Sequence, residues 1–199
     1  MARPQIIVVA GPNGAGRSTC AATSLPPGLD YLNADEVAKG LPGYPSRQAD
    51  MQAGRIVLDQ MQERDENRQG FAVETTLASR SLAARITRLK VAGYKFRLIF
   101  LWTPNADFSI QRVAFRVRSG GHDIPEETIC RRHSAGSRNF FQLYQPSADT
   151  WDVLDNTGLV GPRFIASGRA GLEPKIADEV IWSEMVERGS DESRWCQLE

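Results

Sequence analysis

The segment Gly11 to Thr19, GPNGAGRST, restricts the folds open to this chain more than any other part of it. It follows directly on the apolar run Ile6 to Ala10 and matches G-x-x-x-x-G-K-[ST] everywhere except at Arg17, which stands where the lysine belongs. Such a loop joins a buried strand to a helix. Its glycines let successive backbone N–H groups turn inward around a polyphosphate. The helix aims its positive end at the same anion, and Ser18 is placed to reach a magnesium ion. Arg17 keeps the positive charge but presents a planar fork in a loop shaped for a slimmer ammonium.

The rest of the chain reads as strands alternating with helices. A helix opens near Arg17 and ends before Pro26-Pro27, and Tyr31 to Asn33 is a short strand. Asn33-Ala34-Asp35-Glu36 carries helix-start chemistry, and Met51, Gly54, Leu58 and Met61 recur at helical spacing in a long helix ending near Gly70. Phe71 to Val73 is a strand that ends in Glu74. Leu82, Ile86 and Leu89 mark a helix closed by Gly93, and Phe96 to Trp102 is the strongest strand. Helices follow over Ala106–Arg118, with Ile110, Val113 and Val117 inward, and from Pro125 to about Tyr144. Trp151–Leu154 and Phe164–Ala166 read as late strands and Pro174–Glu187 as a last helix. This alternation predicts an α/β fold in three layers, with a mostly parallel central sheet and ligands at the carboxyl ends of its strands. With 199 residues and 41% hydrophobic content, one domain over 1–188 is expected, followed by a flexible tail over 189–199.

The 24 basic and 24 acidic side chains cancel, so the global charge argues for neither a nucleic-acid nor a membrane partner. Locally, six arginines face three acids between Arg112 and Arg138, a basic segment that suits one polyanionic ligand. Cys20, Cys130 and Cys196 show no paired metal spacing and fit reduced thiols in the cytoplasm. The five apolar residues Ile6–Ala10 are too few for a signal peptide or a membrane span.

Four strand ends carry polar groups that can converge on one crevice: the loop at Gly11, Asn33 to Asp35, Glu74-Thr75-Thr76, and Asp155-Asn156. A carboxylate near a triphosphate either takes a proton from an acceptor hydroxyl or holds magnesium, and Asp35 and Glu74 are the candidates. Asp35 also suits a plain helix cap. Glu74 has less structural reason to stand after a buried strand. Planar guanidiniums match the charge that spreads over a transferring phosphoryl group. Arg112 and Arg116 lie one helical turn apart, with Arg116 nearer the apolar stripe than Arg118. Arg131 and Arg132 form a second pair beyond Gly120-Gly121. The two pairs bracket a segment suited to an arginine-rich lid over ATP, although surface arginines are commonly just solvated. His122 and His133 read as loop or capping residues.

The motifs IIVVAGPNGAGRST, YLNADEVAKGL, GFAVETTLASR, GYKFRLIFLW, RVAFRVRSGGHDIPEETICRRH and LYQPSADTWDVLDN closely resemble, in order, the small zeta-toxin-like P-loop kinases of bacteria. The resemblance spans about residues 5 to 156. It implies a kinase-type P-loop domain that uses ATP and magnesium to phosphorylate a small-molecule hydroxyl. The best understood members act on a UDP-linked amino sugar such as UDP-N-acetylglucosamine and are restrained by an antitoxin. Carried over by motif, it places Gly11, Asn13, Gly14, Ala15, Gly16, Arg17, Ser18 and Thr19 on the ATP phosphates, with Arg112 beside the nucleotide. It makes Asp35 the base, sets Glu74, Thr75 and Thr76 on the acceptor, and gives Arg116 and Arg131 or Arg132 to the transferring phosphate. Gln52-Ala53 stands where the family suggests an acidic acceptor contact. Arg17 leaves a second reading open, a nucleotide-binding regulatory protein that is weak or silent in catalysis. A transporter-type ATPase fits less well, because the chain lacks an LSGGQ-like signature and an Asp-Glu pair after Phe96–Trp102.

Overall fold

The computed structural model describes residues 3–121, 123–158 and 161–190. Gln5–Ala10 forms β1, at the heart of a seven-stranded sheet. The other strands are β2 (Asp30–Leu32), β3 (Phe71–Thr75), β4 (Lys95–Trp102), β5 (Thr150–Asp155), β6 (Arg163–Arg169) and β7 (Lys175–Ile176). They lie in the order β2-β3-β1-β4-β5-β6-β7. β2, β3, β1, β4 and β5 run parallel, and β6 and β7 add an antiparallel edge.

Because successive side chains of a strand point to opposite faces, β1 feeds two cores at once. Ile6, Val8 and Ala10 join Phe71, Val73, Phe96, Leu98 and Phe100 on one face, under α3 (Arg47–Glu66), α4 (Ser81–Val91) and α7 (Glu179–Ser190). Ile7 and Val9 join Ala72, Ile99 and Leu101 on the other face, under α1 (Arg17–Ser24). Burial on both faces is why these strands read as continuous apolar runs.

The second segment expected to be helical, from Asn33 to near Gly70, divides in two. α2 (Ala34–Lys39) starts on Asn33, whose side chain accepts from the backbone N–H of Asp35 and Glu36, and α3 starts on a Ser46 cap. The face that α3 buries is Ala49, Ala53, Val57 and Met61, so three of the four residues read from the sequence are displaced. Met51 is 55% exposed and Leu58 40%. Two of the four, Ala49 and Ala53, are small, and a pattern of large side chains does not reveal them.

α5 (Ala106–Arg118) and α6 (Glu126–Asn139) pack on each other through Val113, Ile124 and Ile129, a small core apart from the sheet. α6 widens into a π-helical turn, Phe140–Tyr144. The expected helix over Pro174–Glu187 is corrected to β7 followed by α7. Lys175 and Ile176 pair with Ser167 and Ala166, and the Asp178 carboxylate accepts from Ile181 N at 3.0 Å to start the helix. His133, expected in a loop or at a cap, lies buried within α6. The expected loop or cap at His122, the tail after Ser190 and Cys196 lie outside the described residues.

Candidate nucleotide and acceptor site

The parallel strands bring their carboxyl ends to one edge of the sheet, and the loop after β1 is built against three of its neighbours. Gly14 and Gly16 hold φ values of 77° and 84°. A Cβ on Gly14 would stand 2.8 Å from the Cβ of Arg112, and one on Gly16 2.3 Å from Nδ2 of Asn156. Glycine at these positions therefore allows both the left-handed backbone and the approach of α5 and the end of β5. Asn156 Nδ2 donates to Ala15 O at 3.0 Å, and Arg112 reaches Gly14 O and Asn156 O at 3.4 Å each. Asn13 is buried within the loop.

Arg17 turns back into the protein. Its Nε donates to Glu74 Oε1 at 2.9 Å, and its Nη1 donates to the carbonyls of Gly11 and Pro12. Glu74 lies inside β3 rather than after it, beside β1 in the sheet. Its other oxygen, Oε2, accepts from Ser18 Oγ at 2.8 Å, from Asn33 Nδ2 at 3.1 Å and from the Tyr31 hydroxyl. Burial alone would raise the Glu74 pKa. The Arg17 charge and the hydrogen bonds from Tyr31, Arg17 and Ser18 outweigh it and hold the carboxyl below its ordinary range. Burial, with the Glu74 hydrogen bond and charge, pushes the Tyr31 phenol well up, so Tyr31 is a donor at neutral pH.

Two adjoining clefts open at this edge. One, of about 370 Å³, runs along Gly14 to Thr19 and includes Asp35, Glu74, Arg112 and Arg116. The other, of about 380 Å³, lies between α2, the start of α3 and the end of α5, and is lined by Lys39, Tyr44, Asp50 and Gly120-Gly121 among others. Ser18, Asp35 and Arg116 belong to both. Asp35 is exposed on the first turn of α2, and Asn33, not Asp35, caps that helix. Arg132 is half-buried. Burial lowers its pKa, and the field of Asp35 opposes that shift, which puts the two side chains in electrostatic reach.

Of the residues expected at the site, Gly11, Asn13, Arg131, Arg132, Thr75 and Thr76 line neither cleft. Arg131 is exposed, and the Thr75 hydroxyl accepts from Leu77 N at 3.1 Å. The Thr76 carbonyl packs against Gly136, where a Cβ would come within 2.2 Å of it. Asp155 pairs with Arg163 and caps Thr157, away from the loop. Tyr31, Asn156 and Asp50 are the residues that sequence reasoning did not single out for roles. Asn156 alone carried a signal, as a polar residue at a strand end. Asp50 supplies an acid near the position where Gln52-Ala53 lacks one.

A phosphate-type loop between the central strand and first helix of a largely parallel sheet, facing a cleft with paired arginines, defines a kinase-like P-loop α/β protein. The chain belongs to the zeta toxin family, whose model matches residues 1–159. The crystal structure of AvrRxo1-ORF1:-ORF2 with ATP superposes with a TM-score of 0.73 at 16% identity, covering 92% of this chain and 64% of that one. This chain thus spans somewhat less than two thirds of that similar structure. The PezAT chromosomal toxin–antitoxin system of the human pathogen Streptococcus pneumoniae superposes with a TM-score of 0.67 at 15% identity, covering 95% of this chain and 85% of that one. An uncharacterized protein of Haemophilus influenzae is 28% identical over 127 residues, 64% of this chain and 91% of that protein. No helix among the described residues is long and apolar enough to cross a membrane.

Proposed function

We propose that the protein is a cytoplasmic ATP-dependent phosphotransferase that moves the terminal phosphoryl group onto a hydroxyl of a small molecule. The observation that carries this reading is the junction of the two clefts, where Ser18, Asp35 and Arg116 border both. The cleft along the loop takes the triphosphate, with Arg112 beside the nucleotide. The cleft under α2 takes the acceptor. Asp35, on the exposed first turn of α2, accepts the proton of the attacking hydroxyl. Arg116 at the junction, and Arg132 on the family resemblance, meet the charge that develops on the transferring group. Magnesium fits this donor set: Ser18 gives its hydrogen to Glu74, so its oxygen lone pairs remain available, and few protein ligands are needed beside phosphate oxygens. Bound there, the ion would neutralise phosphate charge.

The acceptor class is a nucleotide sugar such as UDP-N-acetylglucosamine, on the family resemblance. The acids Asp35, Glu36 and Asp50 and the Tyr44 ring beside that cleft supply acceptors for sugar hydroxyls and a face for an apolar ring. An antitoxin is the proposed protein partner, by similarity to the PezAT system. The inward turn of Arg17 favours a second reading, a regulatory protein that binds ATP and transfers slowly or not at all.

Incubation with γ-labelled ATP, magnesium and a bacterial metabolite extract tests these readings together. Label should appear in a UDP-sugar, and Asp35→Asn should reduce the transfer by about two or more decades with ATP binding retained. Undiminished transfer by Asp35→Asn removes it as the base. ATP binding without transfer to any acceptor favours the regulatory reading.

A further inference from the structure

Resting on the nucleotide reading above, we propose that Arg17 is a positioning residue and not a phosphate ligand. It fixes Glu74 and, through Glu74, the Ser18 hydroxyl, while Arg112 and Arg116 carry the positive charge that meets the phosphates.

Three of the five N–H groups of the guanidinium are engaged within the protein, one by Glu74 Oε1 and two by the Gly11 and Pro12 carbonyls. The Arg17 and Glu74 side chains are only 9% and 5% exposed. They form a buried, neutral ion pair. Swinging Arg17 toward a phosphate would leave Glu74 charged and buried without its cation, and breaking such a pair is far more unfavourable than keeping it. A lysine could lie along the loop and point its single ammonium outward. The fork of Arg17 instead matches a carboxylate on the neighbouring strand.

Glu74 passes this constraint on. Its second oxygen gathers Ser18 from α1, Tyr31 from β2 and Asn33 from the cap of α2. One carboxylate thus ties the loop to the end of β2, and the direction of the Ser18 hydroxyl depends on where Arg17 holds it. With Arg17 and Glu74 cancelling, the loop has no net side-chain charge of its own. The cations left on the cleft are Arg112, within 3.4 Å of the loop carbonyl of Gly14, and Arg116 at the junction.

The test uses the full chain and titrates ATP with magnesium and with EDTA, circular dichroism checking the fold of each variant. The double variant Arg17→Met/Glu74→Gln should bind ATP in EDTA within about threefold of the wild type. Arg116→Ala should weaken that binding about tenfold, the size of a lost charge-assisted contact. The tightening that magnesium gives the wild type should fall several-fold in the double variant and in Glu74→Gln, because a neutral amide oxygen holds the Ser18 hydroxyl more weakly than a carboxylate does. Where Arg17→Met alone fails to fold, the double variant still carries the test, since it leaves no buried charge without its partner. A loss beyond threefold in EDTA for the double variant overturns the proposal, as does an unchanged magnesium response. A wild-type protein that binds no ATP removes the nucleotide reading and this inference with it. With ATP binding by the wild type intact, a loss beyond threefold in EDTA for the double variant, or an unchanged magnesium response, removes the inference alone.

Discussion

His133 shows how much one buried side chain can set at the residue scale. It is 3% exposed within α6, with its Nε2 3.1 Å from the Thr103 hydroxyl. Burial, helped by the charge of Arg188, pulls its pKa down to about 4 against the hydrogen bonding of Thr103. The fold therefore refuses a proton that the unfolded chain accepts below about pH 6.5. Stability from this residue is complete above pH 6.5, falls as the pH drops, and is lost by about pH 4, a span worth about 3 kcal/mol. Thermal unfolding at pH 7.5, 6 and 5 should show the wild type losing more stability than His133→Gln, and parallel curves would exclude His133 as the source. The helix read from Pro125 to about Tyr144 spans His133, but the residue itself reads as a loop or cap histidine because the sequence does not show what covers it. The same limit applies to the two acids near the loop: both Asp35 and Glu74 are candidates for proton or magnesium chemistry in sequence, yet one is exposed at a cleft and the other is held by four donors.

At the scale of elements, α3 illustrates the difference between helical period and helical face. The sequence gives a helix correctly over most of its length, because apolar residues recur every three or four positions. The wrong stripe was legible, however, since Ala49 and Ala53 carry little hydrophobic weight and Met51 and Leu58 carry much. Ala53 is fully buried and Met51 is 55% exposed. Replacing Ala53 with leucine should overpack the contact and lower stability by about 1–3 kcal/mol, whereas Met51→Gln should stay within about 0.5 kcal/mol. Urea unfolding measures both, and the reverse ranking would place the buried face where the large side chains lie. β7 and α7 were merged into one expected helix for a related reason. Two residues of strand are fixed by pairing with β6, a contact that no local pattern encodes.

At the scale of the whole molecule, the part that matches the family model ends at residue 159, but the core does not. Ile165 and Ala166 of β6 and Met185 of α7 are buried in the larger core. Trp182 stacks on Trp151 of β5, with centroids 5.4 Å apart and planes 10° from parallel, and reaches Phe141 beyond α6. α7 thus fastens the sheet to the helix that carries Arg132. Trp182→Ala should remove about 3 kcal/mol of stability, read from denaturation followed by circular dichroism. An unchanged midpoint would mean that α7 is an appendage.

By itself, the amino-acid sequence determined the succession of strands and helices and the loop between the first two of them. Both follow from local rules: side-chain period, the positive φ values open to glycine, and the chirality that returns each parallel strand to the same sheet. Only the tertiary structure decided which polar groups share a site. Arg17 and Glu74 are 57 residues apart in the chain and meet because β3 lies against β1. A guanidinium takes its direction from the carboxylate that neutralises it, and which carboxylate stands there is settled by the order of the strands.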